Sequence, residues 1–257
     1  MIRFFYSLHS LFFIGSFLFA DLPKPPDTLP FIVGERLEYD LKWGFFPVGS
    51  AKMEVLAKDP SMPNGSLLIR FKVRTNSFAD NFYKVRTSIV STVDSSFTRS
   101  LYYEKSQHEG STTRNITVSY DYDKGEAVYT QNNDSPIRTS IPGPVFDPLS
   151  IAYYFRLFPL QPDTEAHIPT CDGKKFRQIV VRAGKKEKLK LPLGKVIAIS
   201  TIPSLENLGG VFNKSPNGLL KVWYSADHRK LPVRISSKVV VGRFTATLVS
   251  AFPPLDI

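Results

Sequence analysis

The sequence has a single cysteine, Cys171, and four histidines among its 257 residues. One thiol cannot form an intramolecular disulfide, and it cannot build a thiolate zinc site by itself. The histidines also lack the His-x-His and His-x₃-His spacings that are typical of metal sites. We therefore expect a fold that is stabilised by its apolar core, without a metal or any other cofactor.

The sequence also lacks an apolar run of the roughly 18 residues that a membrane-spanning helix requires. Its clearest apolar run, residues 11–19, follows Arg3 and precedes Ala20, which predicts an export signal over residues 1–20. Leu18 stands where a small residue is preferred, so an uncleaved N-terminal anchor is the alternative. Lipid attachment after export requires a cysteine at the new N terminus, and none is present there. We expect an exported protein of the periplasm, with secretion into the medium as the alternative.

Catalytic motifs are absent as well. The Gly-x-Ser-x-Gly turn of serine hydrolases does not occur. His108 and Glu109 are neighbours on a predicted strand, so they should face opposite sides of the sheet and should not act as a pair. The sequence therefore predicts a noncatalytic protein. A hydrolase remains a third hypothesis, which convergence of His108, His167 and Asp227 or His228 in one pocket would support.

Alternation of apolar and polar residues dominates the chain from residue 31 onward. It predicts strands at residues 36–43, 50–57, 67–75, 83–93, 101–109, 115–122, 127–131, 167–170, 176–182, 188–191, 195–202, 219–225, 233–240 and 244–251. Short turn sequences such as Asn64-Gly65 separate them, which favours antiparallel neighbours. Since more than roughly ten strands tend to curl or split, we expect a mainly β fold with a strongly curved antiparallel sheet, either a half-barrel or barrel-like.

One segment, residues 147–158, departs from this pattern. Asp147 can cap a helix, Pro148 suits its first position and Pro159 stops it, so we predict one α-helix of about three turns. The helix is apolar on most sides and should be buried, lying across the concave face of the sheet. The predicted organisation is a signal at residues 1–20, a Pro-rich tether at 21–30 and a single β-rich domain at 31–257. Residues 203–218 form a long loop that we expect to be mobile or a lid.

The chain is basic, with a net charge of +10. Lys185, Lys186, Lys188 and Lys190 form its densest cluster, and such a surface would attract an anionic membrane or lipopolysaccharide. The alternative is a charged hairpin that is merely solvated. An exported protein has little access to nucleic acid, so no nucleic-acid partner is expected.

Three blocks of sequence carry a family resemblance. The first is residues 34–39 (Gly-Glu-Arg-Leu-Glu-Tyr), continuing to Trp43 and to the Pro-Val-Gly of residues 47–49. The second is residues 147–150 (Asp-Pro-Leu-Ser) followed by residues 153–156 (Tyr-Tyr-Phe-Arg). The third is residues 222–225 (Val-Trp-Tyr-Ser), Asp227, Arg229 and residues 231–235 (Leu-Pro-Val-Arg-Ile). Together they resemble the bacterial exported family known as domain of unknown function 3108, which implies an exported, mostly β domain without an established activity.

The same blocks contain residues with predictable structural roles. Gly49 should permit a turn or a close approach between backbones. Asp227 should accept hydrogen bonds from backbone amides within a turn, and Pro232 should mark the edge or the start of the next strand.

Aromatic residues make up 13% of the chain, and they are grouped at strand ends and on the predicted helix. They favour a cavity for a lipid or another amphiphile, although an ordinary filled core is the alternative. The leading hypothesis is thus a noncatalytic envelope protein that binds a hydrophobic or anionic amphiphilic ligand. The runner-up is a structural or interaction protein that docks on an envelope complex. The candidate ligand-binding residues are Trp43, Tyr153, Tyr154, Phe155, Arg156, Phe158 and Trp223.

Overall fold

A computed structural model describes residues 24–56, 65–203, 220–238 and 242–255. Within these ranges the chain forms fourteen strands and two short helices. In chain order they are β1 (Arg36–Trp43), β2 (Phe46–Leu56), β3 (Leu67–Thr75), α1 (Ser77–Asp80), β4 (Val85–Val93), β5 (Ser100–Glu109), β6 (Thr112–Asp121), β7 (Glu126–Gln131), β8 (Ile137–Ser140), α2 (Ser150–Tyr154), β9 (Glu165–Cys171), β10 (Phe176–Leu191), β11 (Gly194–Pro203), β12 (Leu220–Ser225), β13 (Pro232–Lys238) and β14 (Arg243–Phe252). The predicted signal and most of the 203–218 loop lie outside the described residues.

All fourteen strands belong to one antiparallel sheet. Its order is β8-β7-β6-β5-β4-β3-β2-β1-β14-β13-β12-β11-β10-β9, so the first and last strands of the chain pair at its centre. The sheet is not closed, because β8 and β9 form its two edges. The predicted fold class, a mainly β protein with a strongly curved antiparallel sheet, is confirmed.

The connecting segment, residues 141–149 between β8 and α2, lies where the sheet is open. Val145 accepts a hydrogen bond from the amide of Ser100 at the start of β5 (2.9 Å), and the amide of Phe146 donates to Pro169 of β9 (2.9 Å). Phe146 also forms a parallel bridge with Thr170. The segment therefore links the two halves of the sheet next to α2.

Alternation along the strands separates the core from solvent. On β2, Ala51, Met53 and Val55 are buried on the inner face. Glu54 points the other way, where its carboxylate pairs with Arg70 of β3 at 2.7 Å. This is the pattern expected of a sheet that covers a core with one face.

The helix predicted at residues 147–158 is real but shorter, since α2 spans only five residues. Asp147 supplies the predicted cap, and its Oδ1 accepts hydrogen bonds from the amides of Leu149 (2.8 Å) and Ser150 (2.9 Å). After α2 the chain tightens, because the amides of Arg156 and Leu157 donate to carbonyls three residues earlier. Tyr153 and Tyr154 are buried, so the prediction of a buried helix holds.

Three other elements differ from the predictions. The alternation did not indicate α1, which Asn76 caps by accepting a hydrogen bond from the Ala79 amide (2.9 Å). It also missed β8, a mostly exposed edge strand with one apolar residue. The two strands predicted at 176–182 and 188–191 are one strand, β10, which continues through a bulge between Ala183 and Lys186. No helix within the described ranges has the length and apolarity that crossing a bilayer would require.

Candidate ligand-binding cavity

An apolar cavity of about 340 Å³ lies between α2 and the inner face of the sheet. One wall is the α2 region, with Leu149, Ile151, Ala152 and Phe155. The remaining walls come from both halves of the sheet, and their main apolar residues are Met53, Phe71, Ile89, Ile179, Val181, Val222 and Ile235. Because the lining is almost entirely apolar, the cavity suits an apolar group rather than ordered water.

The two charged residues of the lining lie together at one turn. Asp172 and Arg177 flank the turn between β9 and β10, and their side chains form an ion pair at 3.1 Å. Both are partly exposed, and Thr170 lies close to them in the sequence and also contributes to the lining. A ligand with an apolar body and a charged head would find both environments here.

A buried ion-pair network lies beside the segment that follows α2. Arg156, which follows α2, donates from its two terminal nitrogens to the two carboxylate oxygens of Glu35, at 2.6 and 2.7 Å. The side chain of Glu35 is fully buried and that of Arg156 is 1% exposed. Arg229 lies 3.4 Å from the same carboxylate. This geometry is the bidentate arrangement that makes arginine–carboxylate pairs strong.

The remaining donors of this network are also satisfied. Nε of Arg156 donates to the carbonyl of Arg229 (3.0 Å), and Arg229 donates to the carbonyls of Pro253 (2.8 Å) and Pro254 (2.7 Å). Burial lowers the pKa of the Arg156 guanidinium, but the hydrogen bonds and charge of Glu35 outweigh it and hold that pKa above its usual value. The network thus joins four parts of the chain. They are the region before β1, the segment after α2, the turn before β13 and the residues that follow β14.

The network joins the three blocks of sequence that carry the family resemblance. Glu35 comes from the first block of sequence, Arg156 from the second and Arg229 from the third. Asp227 holds its turn as predicted, because its Oδ1 accepts hydrogen bonds from the amides of Arg229 (2.8 Å) and Lys230 (3.0 Å). The three blocks therefore meet at a single point of the fold.

A second buried polar cluster surrounds Asp147. Its Oδ2 accepts hydrogen bonds from the hydroxyls of Ser91 and Ser100, the latter at 2.6 Å, and Ser150 lies 2.9 Å from Ser100. All four residues are buried. The two carboxylate oxygens of Asp147 therefore hold α2 against β4 and β5. Because the three serine hydroxyls are buried in this cluster, it provides no exposed nucleophile.

The predicted ligand-binding residues are dispersed in the structure. Phe155 lines the cavity. Tyr153 packs edge to face on Phe31 at 5.2 Å, and Tyr154 packs on Phe146 at 4.5 Å and on Phe158 at 5.1 Å.

The three other predicted residues do not line the cavity either. Arg156 is engaged by Glu35, as described above. Trp223 is buried, next to the cavity-lining Tyr224 on β12. Trp43 lies at the end of β1 and stacks on Phe244. The aliphatic lining residues were missed because alternation shows which residues share a face but does not identify the helix that faces them.

The acid–base candidates do not come together at the cavity. His108, His167 and His228 are exposed, and none of them contributes to the lining. Among the described residues, no three His, Cys, Asp or Glu side chains are placed to hold a metal ion. Burial raises the pKa of the Cys171 thiol to about 11. The four lysines of the basic cluster are exposed along β10.

A larger groove of about 610 Å³ crosses β1 to β4. Its lining is charged and includes Glu38, Lys52, Lys72 and Arg74. Lys52 is already paired with Glu54 at 2.7 Å. The apolar cavity is the better candidate, because it is lined on several sides by side chains that bind water poorly.

Comparison with known proteins gives a family and a fold. The model of the family described as protein of unknown function (DUF3108) matches residues 38–249. A β-barrel-like protein of a different domain of unknown function, DUF1849, from Brucella abortus has a similar structure, with a TM-score of 0.55 and 10% identity over 86% of this chain and 97% of that one. No curated protein matches the chain.

Two further solved structures are less similar. One is assigned as an exported protein with a YmcC-like fold from Bacteroides fragilis, with a TM-score of 0.36 and 8% identity over 87% of this chain and 97% of that one. The other is assigned as a lipoprotein from Parabacteroides distasonis, with a TM-score of 0.35 and 12% identity over the same shares. Because the family model covers most of the sequence and the three blocks meet in one buried network, the chain belongs to the DUF3108 family.

Proposed function

We propose that this protein is a noncatalytic, exported binding protein that holds the apolar part of an amphiphile in the cavity beside α2. The observation that carries the proposal is the mainly apolar lining of that cavity, with its two charged residues together at the turn between β9 and β10. The Asp172–Arg177 pair at that turn is partly exposed, and the guanidinium of Arg177 has further N–H groups that can donate to a polar head group. The predicted export signal favours a ligand of the cell envelope.

The size of the cavity limits the ligand. Its volume of about 340 Å³ is near the lower end of the range for small-molecule sites, roughly 300–1,000 Å³. A single acyl chain with about ten buried methylenes would gain about 8 kcal/mol from burial. Since ordering the chain opposes this gain, we expect a Kd in the micromolar range or weaker. The proposal is thus for one chain of an amphiphile rather than a whole phospholipid.

Native mass spectrometry of the full chain, purified from the cells that produce it, tests the proposal. We expect an additional mass that organic extraction removes and that dodecanoate replaces. Ala152→Phe and Val222→Phe each place a larger side chain in the cavity lining, so each should abolish both adducts. If extraction changes nothing and the extracted protein takes up no dodecanoate, the proposal is wrong.

Ala226→Phe is the matched control. Ala226 is exposed and does not line the cavity, so the same substitution there should leave both adducts in place. Urea unfolding of each variant shows whether it is folded. Equal loss of the adducts in Ala226→Phe and the cavity variants would also contradict the proposal.

A further inference from the structure

One end of the sheet carries a group of exposed aromatic side chains, which we call the aromatic rim. They come from the β1–β2 hairpin, from the α1 region and from the start of β14. Their exposed fractions run from 41% to 95%, and their members are Trp43, Phe45, Phe46, Phe78, Phe82, Tyr83 and Phe244. Single exposed apolar residues are ordinary on a protein surface, but a contiguous group indicates an interaction site.

The aromatic rim is held in place by the fold. The amide of Asn76 donates to the carbonyl of Val48 (2.9 Å), and its side-chain amide donates to the carbonyl of Pro47 (2.8 Å), which joins α1 to the β1–β2 hairpin. Trp43 stacks on Phe244 across the β1–β14 pair. Phe78 and Phe82 pack on each other with ring centroids 5.5 Å apart. These contacts therefore hold the side chains of the aromatic rim together at one end of the sheet.

Strand register places the aromatic rim at the end of the sheet where β12 begins. Trp43 pairs with Phe244, Phe244 with Ser237, and Ser237 with Leu220, which begins β12 and lines the cavity. The buried network around Glu35 lies at the opposite end, where β1 begins.

The surroundings of the aromatic rim are positively charged. Exposed basic side chains stand on the same strand ends and turns, namely Lys42, Arg74, Lys84 and Arg243. Of the nearby carboxylates, Asp80 is neutralised by Arg86 at 2.6 Å, whereas Asp40 is exposed on β1 and Glu109 ends β5 next to Gly110, which lies against Tyr83. Cations therefore outnumber the unpaired acidic groups beside the rim.

We infer that the aromatic rim is a docking surface for an anionic lipid bilayer. Tryptophan, tyrosine and phenylalanine side chains favour the membrane interface, where an apolar ring can be buried next to polar head groups. The basic side chains complement the negative surface potential of such a bilayer.

Vesicle binding of the full chain tests this inference. The vesicles contain equal parts of phosphatidylethanolamine and phosphatidylglycerol, and phosphatidylcholine vesicles serve for comparison. We expect binding to the anionic vesicles that weakens in high salt. Phe45→Ser combined with Phe46→Ser should lower the partition coefficient by at least about tenfold, since two exposed rings no longer enter the interface.

Tryptophan fluorescence identifies the surface that enters the bilayer. The chain has two tryptophans, of which Trp43 is exposed and Trp223 is buried. Anionic vesicles should shift the emission to shorter wavelength and should make it sensitive to brominated lipids. Trp43→Phe should remove both responses while retaining most of the binding.

Ile32→Ser combined with Ile197→Ser is the matched control. These residues are 54% and 56% exposed, and they lie at the other end of the sheet. The control should bind vesicles like the wild type. Binding through the apolar N-terminal segment is common to all variants, so it does not affect the comparison between them. Equal partitioning of the wild type and the Phe45/Phe46 variant would overturn the inference. Self-association that requires the rim, without vesicle binding, would overturn it as well and assign the rim to a second copy of the chain.

Discussion

Replacing Glu35 with glutamine should strongly destabilise the protein. The carboxylate of Glu35 accepts two hydrogen bonds from Arg156 and lies 3.4 Å from Arg229. Glutamine keeps the shape of the side chain but removes its charge and presents an NH₂ group to a buried guanidinium. The substitution therefore leaves Arg156, only 1% exposed, without a counter-charge.

The expected cost follows from this burial. Removing one partner of a buried ion pair costs about 3–5 kcal/mol, out of a total stability of roughly 5–15 kcal/mol for a typical domain. With an m-value of about 2–3 kcal/mol/M, the urea midpoint should fall by roughly 1–2 M. Urea unfolding followed by circular dichroism measures this shift.

A surface pair provides the control. Glu38 pairs with Arg36 at 3.5 Å, and both side chains are about half exposed. Glu38→Gln should change the free energy of unfolding by no more than about 0.5 kcal/mol. Glu35→Leu combined with Arg156→Met should cost less than the sum of the two single changes, because neither charge is then left alone. If Glu35→Gln costs no more than Glu38→Gln, the structural role assigned to the network is wrong.

Three further predictions concern single residues. Gly49→Ala should cost about 1–3 kcal/mol in urea unfolding, because its Cβ would lie 2.1 Å from the carbonyl oxygen of Arg74, whereas Gly143→Ala, with open space around it, should cost far less. The raised pKa of Cys171, about 11 against 9.0, should remove up to about 3 kcal/mol of stability as the pH rises from 9 to 11, and Cys171→Ala should abolish this contribution. Burial raises the pKa of Glu54, but its two basic partners outweigh burial and hold it below 4.5, so the stability lost in Glu54→Gln at pH 7 should shrink as the pH falls below 4.5.

Much of the sheet could be predicted, because alternation is a local signal. The bounds predicted for β1 and β3 agree with the structure, and Pro232 begins β13 as expected. The close approach predicted for Gly49 is confirmed by the carbonyl of Arg74. Such positions are set by the residue itself and by its immediate neighbours.

The errors occur where tertiary contacts override the local pattern. The apolar run after Asp147 suggested three helical turns, but the chain bends after Tyr154 so that Arg156 can reach Glu35, 121 residues earlier. Residues 176–182 and 188–191 were predicted as two strands, whereas β10 pairs with β11 along both ranges and accommodates the interruption as a bulge. Neither partner is visible in the local sequence.

The lining of the cavity was not indicated by the sequence, for the same reason. The aromatic residues Tyr153 and Tyr154 pack α2 against Phe31, before β1, and against Phe146 of the connecting segment. The cavity is lined mainly by aliphatic residues such as Ile179 and Val222, which look like ordinary strand residues. Arg156 and Glu35 are 121 residues apart, so no local sequence pattern indicates that they pair.

A crystal structure with a dodecanoate that carries bromine on its terminal carbon would test the binding proposal most directly. Anomalous scattering locates the bromine without reference to the protein. We predict a bromine peak between Ile151 of α2 and Val222 of β12, with the carboxylate toward Arg177. A peak only on the outer surface, or an empty cavity at saturating dodecanoate, would contradict the proposal.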